Sequence, residues 1–239
     1  MLKKALVTGS ARGIGRAIAL DLASRGFDVA FHYNRNADAA NQASQKAATH
    51  GIKSIALQAD ITKPKQAKSL VENTAEKLGG LSVLVNNVGN FLGKPTSQIS
   101  VEEWHDVIDS NLNATFYITK AALPYLKAAN GARIVNFACA GGQNVVSRQM
   151  STAYIIAKTG IIIYTKSLAQ ELIKDKITVN VVSPGIVENS FDIEEMIPKL
   201  PAKRPATLQE INHAVWFLIN PDSDYITGQV LEVSGGWSL

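Results

Sequence analysis

The chain has 239 residues, of which 46% are hydrophobic and 18% charged, a composition that lets a globular protein bury a sizeable core. The net charge of +4 comes from scattered basic residues, which argues against a nucleic-acid-binding protein. The single cysteine excludes an intrachain disulfide, and no stretch offers about 18 unbroken apolar residues for a membrane span. The apolar run within the first ten residues is too short for a signal peptide. We therefore expect a soluble, cytoplasmic protein that forms one domain over residues 1–239, with neither nucleic acid nor membrane as a partner.

Short apolar runs alternate with longer helical patterns along the chain. In chain order, the predicted elements are a strand at 4–7, a helix at 14–26, a strand at 28–33, a helix at 37–51, a strand at 53–60, a helix at 63–80, a strand at 82–87, a long helical region at 100–129, a strand at 132–138, a helix at 152–173, a strand at 177–185, a helix at 207–220 and a strand at 229–236. The long region has a candidate N-cap at Ser100 and room for a bend. Apolar strands separated by helices predict an α/β fold, a Rossmann-type doubly wound parallel sheet of about seven strands with helices on both faces. Such sheets bind ligands past the carboxyl ends of their strands.

The stretch TGSARGIG, residues 8–15, links the first predicted strand to the first predicted helix. Gly9 permits a tight turn, Gly13 lets backbone approach a pyrophosphate, and Gly15 allows close packing of the helix. The helix N-terminus adds free N–H groups and the positive end of the helix dipole, which favour an anion. This pattern predicts nucleotide binding, and the alternative is a plain strand–helix turn rich in small residues.

Two arginines bear on the identity of the nucleotide. Sheets that bind NAD place an acid at the end of the second strand, but the first acid here is Asp38, inside the next predicted helix. Arg35 follows the second strand and Arg12 lies in the glycine loop, where guanidinium groups can bind a 2′-phosphate through paired hydrogen bonds. We therefore expect NADP(H) rather than NAD(H), unless Arg35 is only a solvated loop residue.

Tyr154 and Lys158 lie four residues apart on a predicted helix and so share one face. A free tyrosine ionises near pH ~10, and a nearby ammonium group would lower that pKa. Tyr154 is therefore a candidate proton donor to a carbonyl oxygen. Taken alone, a tyrosine four residues before a lysine is common by chance, and such a pair usually has a structural rather than a catalytic role.

Five motifs stand in a recognisable order: TGSARGIG at 8–15, NNVG at 86–89, NLNATF at 111–116, YIIAK at 154–158 and SPGIV at 183–187. With this set, along essentially its whole length, the chain resembles the short-chain dehydrogenase/reductase family. Within that family it is most similar to the β-ketoacyl-acyl-carrier-protein reductases. Pteridine reductases and sugar dehydrogenases of similar length remain open alternatives.

The resemblance implies a role for each matching position. Tyr154 would be the catalytic acid–base, Lys158 would hold the nicotinamide ribose and lower the pKa of the tyrosine, and Asn111 would support a water chain to Lys158. Asp60 and Ile61 would face the adenine, Asn87 and Gly89 would flank the adenosine half, and residues 184–187 would meet the nicotinamide carboxamide. The cofactor-binding set is then Gly9, Ser10, Arg12, Gly13, Ile14, Gly15, Arg35, Asp60, Ile61, Asn87, Gly89, Tyr154, Lys158, Pro184, Gly185, Ile186 and Val187.

Cys139 follows the fifth predicted strand, where the family has a serine whose hydroxyl binds the substrate carbonyl. A thiol donates a hydrogen bond only weakly. Three interpretations remain open: the enzyme works with the thiol, Ser147 or Ser151 takes the role through a shifted loop, or the protein is a weak enzyme or a cofactor-binding relic. No histidine stands near enough in sequence to make Cys139 a predicted nucleophile.

The resemblance has two further consequences for partners. The family oligomerises through helices that here span roughly 100–128 and 152–174, which implies a homodimer or homotetramer, although the isoleucines of the second helix would serve a buried core equally well. The acyl-carrier reductases grip their acidic carrier protein with basic residues near the mouth of the site. Those positions fall on Asn130 and Asp175, and Lys127, Lys174 and Lys176 are nearby substitutes. The carrier protein is thus a weakened candidate partner.

Two departures lie near the substrate. Asn189 stands where many members have threonine near the carboxamide. The stretch after Pro184, which forms the substrate lid in the family, is shorter than in the acyl-carrier reductases, and this implies a more open or differently shaped pocket. The four histidines lack metal-ligand spacing, so we expect no catalytic metal.

These observations predict an NADP(H)-dependent carbonyl reductase. The leading substrate is a β-ketoacyl thioester, reduced to the β-hydroxyacyl form as in fatty acid biosynthesis. A pterin or another small carbonyl compound is the alternative substrate. A non-catalytic NADP-binding protein is the alternative from another class, because Cys139 departs from the family pattern.

Overall fold

A parallel sheet forms the centre of the computed structural model, which describes residues 2–190 and 193–238. Its strands run in the order β3-β2-β1-β4-β5-β6-β7. The order reverses between β1 and β4, so the crevice at their carboxyl ends is where a sheet of this kind binds its ligand. The predicted doubly wound sheet of seven strands is confirmed. The strands are β1 Lys4–Val7, β2 Asp28–Tyr33, β3 Ser54–Gln58, β4 Val83–Asn86, β5 Arg133–Phe137, β6 Thr178–Pro184 and β7 Val230–Val233.

Helices cover both faces of the sheet. They are α1 Gly13–Ser24, α2 Ala37–Ala48, α3 Pro64–Leu78, α4 Val101–Ile108, α5 Ala114–Ala128, α6 Thr152–Leu172, α7 Ile193–Met196 and α8 Leu208–Ile219. One apolar cluster joins α1, α2 and α8 to one face, and a second joins α3, α5 and α6 to the other. Among the described residues, no helix combines the length and the apolar character that crossing a bilayer requires.

The long helical region that the sequence predicts over 100–129 is interrupted. Ser100 caps α4 with a reciprocal capping box to Glu103, as expected of a Ser-x-x-Glu pattern. A π-helical turn, Asp109–Asn113, then separates α4 from α5. Such turns widen a helix by one residue and are frequent at functional sites. Here the turn carries Asn111 toward the carboxyl end of β4.

The sequence did not predict α7, the single-turn helix after β6. This helix is one turn long, too short to show a helical pattern in the sequence, and a short 3₁₀ turn, Ile197–Lys199, follows it. Between residues 193 and 200, Leu200 is the one buried side chain. The shortened lid that the resemblance implies would lie in the segment after β6, and two of its residues, 191 and 192, lie outside the described part of the chain.

Candidate active site

The glycine loop between β1 and α1 leaves no room for side chains where it turns. Gly9 and Gly13 have φ angles of 65° and 56°, in the left-handed region that favours glycine. A Cβ atom on Gly15 would lie 2.5 Å from the carbonyl oxygen of Gly9. Arg12 is the N-cap residue of α1, and its side chain makes no capping hydrogen bond. The first N–H groups of α1 are thus left for another acceptor, which is what an anion cradle requires.

Asn87, directly after β4, holds this loop in place. Its side-chain amide donates to the carbonyl oxygen of Thr8 at 3.0 Å, and its backbone N–H donates to the Thr8 hydroxyl at 2.9 Å. The same amide nitrogen would lie 2.6 Å from a Cβ on Gly15. Asn87 therefore joins β4 to the start of the glycine loop across the crevice.

The rim of the crevice on the β2–β3 side is basic. Arg12 and Arg35 are both exposed, and neither forms an ion pair with any residue in the described ranges. Ile61 is buried, and Asp60 accepts hydrogen bonds from both the backbone and the hydroxyl of Thr62. Two unpaired guanidinium groups beside a glycine loop favour a ligand with an extra phosphate.

At the other end of the crevice, α6 presents Tyr154 and Lys158 from its first two turns. The Lys158 ammonium is buried and donates to the carbonyl oxygen of Phe137, the last residue of β5, at 2.9 Å. The same nitrogen lies 5.5 Å from the centre of the Tyr154 ring. Burial lowers the pKa of Lys158 to about 8. The predicted pair is therefore brought together, with the lysine anchored to the end of β5.

The pKa of Tyr154 does not follow the expectation from sequence. Burial raises it above its usual value, and the nearby Cys139 raises it further. Burial is the larger effect, so the Lys158 ammonium at 5.5 Å from the ring centre does not bring the pKa of Tyr154 below its usual value. In this state Tyr154 holds its proton, as a donor must.

Asn111 and Gly89 complete this end of the crevice. The Asn111 amide nitrogen donates to the carbonyl oxygens of Asn90 and Val107, at 2.9 Å each. Its carboxamide oxygen is buried and has no hydrogen-bond partner among the described residues. A Cβ on Gly89 would overlap that oxygen and lie 3.2 Å from the Lys158 nitrogen. A buried acceptor without a partner, this close to a buried ammonium, is a place for an ordered water.

Cys139 lies two residues after β5, and its carbonyl oxygen closes a turn with the N–H of Gly142. Burial raises the pKa of the thiol, and the charges of Lys158 and Arg148 partly oppose that shift. The thiol lies close enough to the Tyr154 hydroxyl to contribute to the raised pKa of Tyr154. Cys139 thus stands beside Tyr154, with its proton retained.

The two alternative hydroxyls are placed differently. Ser147 is exposed and lines a cavity of about 270 Å³ together with Thr152, Ile155 and Ile156. Of these, Thr152 and Ile156 lie on the side of α6 opposite Tyr154 and Lys158, because successive helix residues are about 100° apart. Ser151 occupies the N-cap position of α6.

The segment after β6 closes the crevice from the third side. Gly185 donates to the carbonyl oxygen of Val233 at 3.0 Å, and Val187 is buried and bridges to Ala206. The Asn189 amide nitrogen would lie 2.7 Å from a Cβ on Gly13. Residues 184–189 therefore reach across to the glycine loop.

The expected carrier-protein residues lie elsewhere. Lys127 ends α5 and forms an ion pair of 2.9 Å with Asp175, beyond the end of α6. Because α6 rises about 1.5 Å per residue, Lys174 is about 30 Å from Tyr154. Within this chain these positions, Asn130, Asp175, Lys127, Lys174 and Lys176, lie at the ends of α5 and α6 away from Tyr154, and their contact with a carrier protein stays a prediction.

Two residues near the crevice escaped the sequence reasoning. The Phe91 ring packs edge-on against Tyr154 at 5.1 Å between centres while remaining 65% exposed. His32, in β2, bonds to the glycine loop. Two sequence signals could have identified them. Phe91 is an aromatic residue two positions after Gly89, and His32 is a histidine inside an otherwise apolar strand. Among the described residues, no group of three or more His, Cys, Asp or Glu side chains could hold a metal ion.

Comparisons with known proteins agree with this geometry. A family model described as enoyl-(acyl carrier protein) reductase matches residues 9–238. A 3-oxoacyl-(acyl-carrier-protein) reductase from Staphylococcus aureus is 36% identical over 243 residues, covering 99% of this chain and 98% of the relative. A solved structure of a blue fluorescent protein from a metagenomic library, in complex with NADPH, has a TM-score of 0.93 at 32% identity and covers 99% of this chain and 98% of its own. The acetoin dehydrogenase of Salmonella typhimurium has a TM-score of 0.90 at 32% identity, with 98% and 97% covered.

These relatives cover the chain almost from end to end, as the five ordered motifs do. The three glycines of the loop, Gly9, Gly13 and Gly15, and the Tyr154–Lys158 pair lie within the residues that the family model matches. The chain therefore belongs to the short-chain dehydrogenase/reductase family of oxidoreductases, which act on CH–OH and C=O groups.

Proposed function

We propose that this protein is an NADP(H)-dependent carbonyl reductase that converts a β-ketoacyl thioester into its β-hydroxyacyl form. The observation that carries the proposal is the convergence of Tyr154, Lys158 and Asn111 beside Gly89, across the crevice from an anion-binding glycine loop. This arrangement offers a proton donor, a buried cation and a water site next to a dinucleotide cradle.

Tyr154 donates the proton in this account. Its raised pKa keeps the O–H intact until negative charge develops on a substrate oxygen. Lys158 then stabilises the phenolate that remains, because its buried ammonium lies close to the ring. The unpartnered Asn111 oxygen holds the water through which a proton from solvent returns to the pair.

Cys139 acts as the second donor to the substrate oxygen. Burial keeps the thiol protonated, so its S–H is available, although a thiol is a weaker donor than a hydroxyl. We therefore propose that the enzyme works with the thiol and at a lower rate than a serine would give. The exposed position of Ser147 supports this choice over a replacement by that hydroxyl.

The residues around the crevice fit an NADP(H) cofactor. The cradle at Gly9, Gly13 and Gly15 excludes side chains, and the first turn of α1 has N–H groups free for a pyrophosphate. Arg12 and Arg35 have no acidic partner in the described part of the chain and would bind the 2′-phosphate. When bound, NADPH supplies the hydride equivalent that reduces the carbonyl carbon. The NADPH-bound relative supports the same choice.

The substrate class rests on the relatives and on the shape of the site. The names of the relatives include 3-oxoacyl, enoyl and acetoin substrates, of which two carry a ketone. Tyr154 and Cys139 both offer a proton to one oxygen, which suits a ketone better than a carbon–carbon double bond. The exposed ring of Phe91 gives the acyl group an apolar wall.

We propose that the enzyme accepts simple thioesters and does not depend on an acyl carrier protein. The cavity beside Phe91 is also lined by Glu102, Glu103 and Asp106, of which Glu103 is paired with Lys94. Unpaired carboxylates near the entrance repel an acidic carrier protein. The remote position of the α5 and α6 lysines supports the same view.

We also propose that the chain forms a homodimer or homotetramer. Ile161 and Ile162 of α6 are buried in the core, but Ile156 and Ile163 are 46% and 63% exposed. Phe116 of α5 is also exposed and packs against Tyr164 of α6. Apolar side chains exposed on adjacent helices indicate a contact between subunits.

The decisive assay follows NADPH oxidation at 340 nm with an acetoacetyl thioester, and in parallel with NADH and with a crotonyl thioester. We expect oxidation with NADPH and the ketone, formation of the β-hydroxyacyl product, and a much lower kcat/KM with NADH. Turnover of the crotonyl thioester alone would replace carbonyl reduction by enoyl reduction. Binding of NADPH without turnover of any carbonyl compound would move the protein to the non-catalytic class.

A further inference from the structure

His32 is a buried titratable side chain that the proposed chemistry does not use. It is the fifth residue of β2 and is only 2% exposed. Its ring lies between the glycine loop and the end of β3. The Gly9 N–H donates to His32 Nδ1 at 3.0 Å, and His32 Nε2 lies 3.0 Å from the Ala59 carbonyl oxygen.

These two contacts define the state of the ring. A backbone N–H can only donate, so Nδ1 must be an unprotonated acceptor. Nε2 therefore carries the proton and donates it to Ala59. The ring is neutral, with one tautomer selected by its two partners.

Backbone hydrogen bonds also join His32 to the glycine loop. Its carbonyl oxygen accepts from the Ser10 N–H at 2.9 Å, and its N–H donates to the Ser10 hydroxyl at 2.9 Å. The Ser10 hydroxyl in turn donates to the carbonyl oxygen of Val7. The side chain adds the contact to Gly9, whose left-handed φ makes the tight turn of the loop.

The opposite contact lies next to the expected adenine site. Ala59 precedes Asp60 and Ile61, the two residues expected to face the adenine, and Ile61 is buried. One ring therefore joins the two backbone segments that would hold the adenosine half of a dinucleotide. A shift of either segment would change the width of that half of the crevice.

We propose that His32 is a positioning residue of the NADP(H) site, whose neutral ring fixes the glycine-loop turn at Gly9 relative to the β3 end at Ala59. The inference rests on the proposed cofactor. It assigns a role in cofactor affinity to a residue that touches neither the substrate nor the reacting atoms.

The charge around the ring agrees with this role. Burial lowers the pKa of His32, while the bond to Ala59 and the charge of Asp60 partly oppose the shift. From the glycine loop the ring meets the neutral amide of Gly9, and from β3 it meets the Ala59 carbonyl. Protonation of Nδ1 would set two N–H groups against each other at Gly9 and release the turn.

Two substitutions of His32 test its contact with Gly9 and its contact with Ala59 separately. In His32→Asn, the side-chain oxygen can take the place of Nδ1 and accept from Gly9. In His32→Gln, the amide nitrogen can take the place of Nε2 and donate to Ala59, but Gly9 loses its acceptor. Both substitutions remove the titratable ring, so they are matched in charge and polarity.

The measurement is the NADPH dissociation constant of each protein at pH 8, by direct titration without substrate, beside its thermal midpoint without cofactor. We expect His32→Asn to bind within about threefold of the wild type and His32→Gln to bind about tenfold more weakly. The KM for NADPH should rise in His32→Gln while kcat stays within about twofold. Between pH 8 and pH 5, wild-type binding should weaken more than that of His32→Asn, which experiences the same titration of the cofactor.

Equal affinities of the two variants for NADPH would overturn the inference. So would losses of affinity that follow the thermal midpoints alone, because these indicate a role in stability only. A wild type that binds neither NADPH nor NADH would instead overturn the proposed function, and the inference with it.

Discussion

At Cys139 the chain presents a protonated thiol beside Tyr154, and burial is what keeps the proton on sulfur. A hydroxyl at this position would donate a shorter and stronger hydrogen bond to the substrate oxygen. We therefore expect Cys139→Ser to raise kcat by about tenfold and Cys139→Ala to lower it. Steady-state rates of the three proteins with an acetoacetyl thioester test this. A serine variant no faster than the alanine variant would remove Cys139 from the site.

Lys158 connects the site to the stability of the fold. Its pKa is lowered by burial to about 8 from 10.5, so between these values the unfolded chain binds more protons than the folded chain. The free energy of unfolding contributed by this group therefore rises with pH across that interval and is lost as the pH falls toward 8. Relative to Lys158→Met, the wild type should gain up to about 3 kcal/mol between pH 8 and pH 10.5.

Urea unfolding at pH 7.5 and pH 10.5 measures this gain. Lys166→Met is the matched control, because it removes the same charge from an exposed position of the same helix. A difference between wild type and Lys158→Met that does not change with pH would show that the ammonium is not desolvated.

At the scale of elements, the loop after β4 and the π-helical turn fit each other at Gly89. A Cβ there would overlap the Asn111 oxygen and approach the Lys158 ammonium. Gly89→Ala should therefore lower kcat/KM on the order of 100-fold, because small displacements of reacting groups have large effects on rate. Gly51→Ala is the control, since that glycine has a φ of 75° but no atom within 4 Å of the added Cβ. Comparable activities of the two variants would contradict the geometry of Asn111.

The elements themselves were largely predictable from sequence. Apolar strands such as residues 28–33 and capping signals such as Ser100 depend on local chemistry, and the structure has both where they were expected. The π-helical turn was not predictable, because it depends on where Asn111 must point relative to β4. The length of α6, which sets the distance of Lys174 from Tyr154, agrees with the helix predicted at 152–173. The contact of His32 with Gly9 depends on the register of β1 and β2, which no local pattern contains.

At the scale of the whole molecule, the exposed side chains of α5 and α6 predict self-association. We expect the wild type to be a dimer or tetramer by light scattering at micromolar concentration. Ile163→Asp should shift it toward the monomer, because a charge in an apolar interface loses its hydration. Lys166→Asp changes an exposed residue of the same helix and distinguishes a contact at Ile163 from a general effect of charge. A monomeric wild type would contradict the predicted assembly.

The proposed carbonyl reduction depends above all on Tyr154 as the proton donor to a carbonyl oxygen. The measurement that tests it most directly compares the wild type with Tyr154→Phe, which keeps the ring against Phe91 and removes only the hydroxyl. NADPH oxidation with an acetoacetyl thioester should fall by at least about 100-fold, while the NADPH dissociation constant should change little. A phenylalanine variant that reduces the ketone at the wild-type rate would contradict the account.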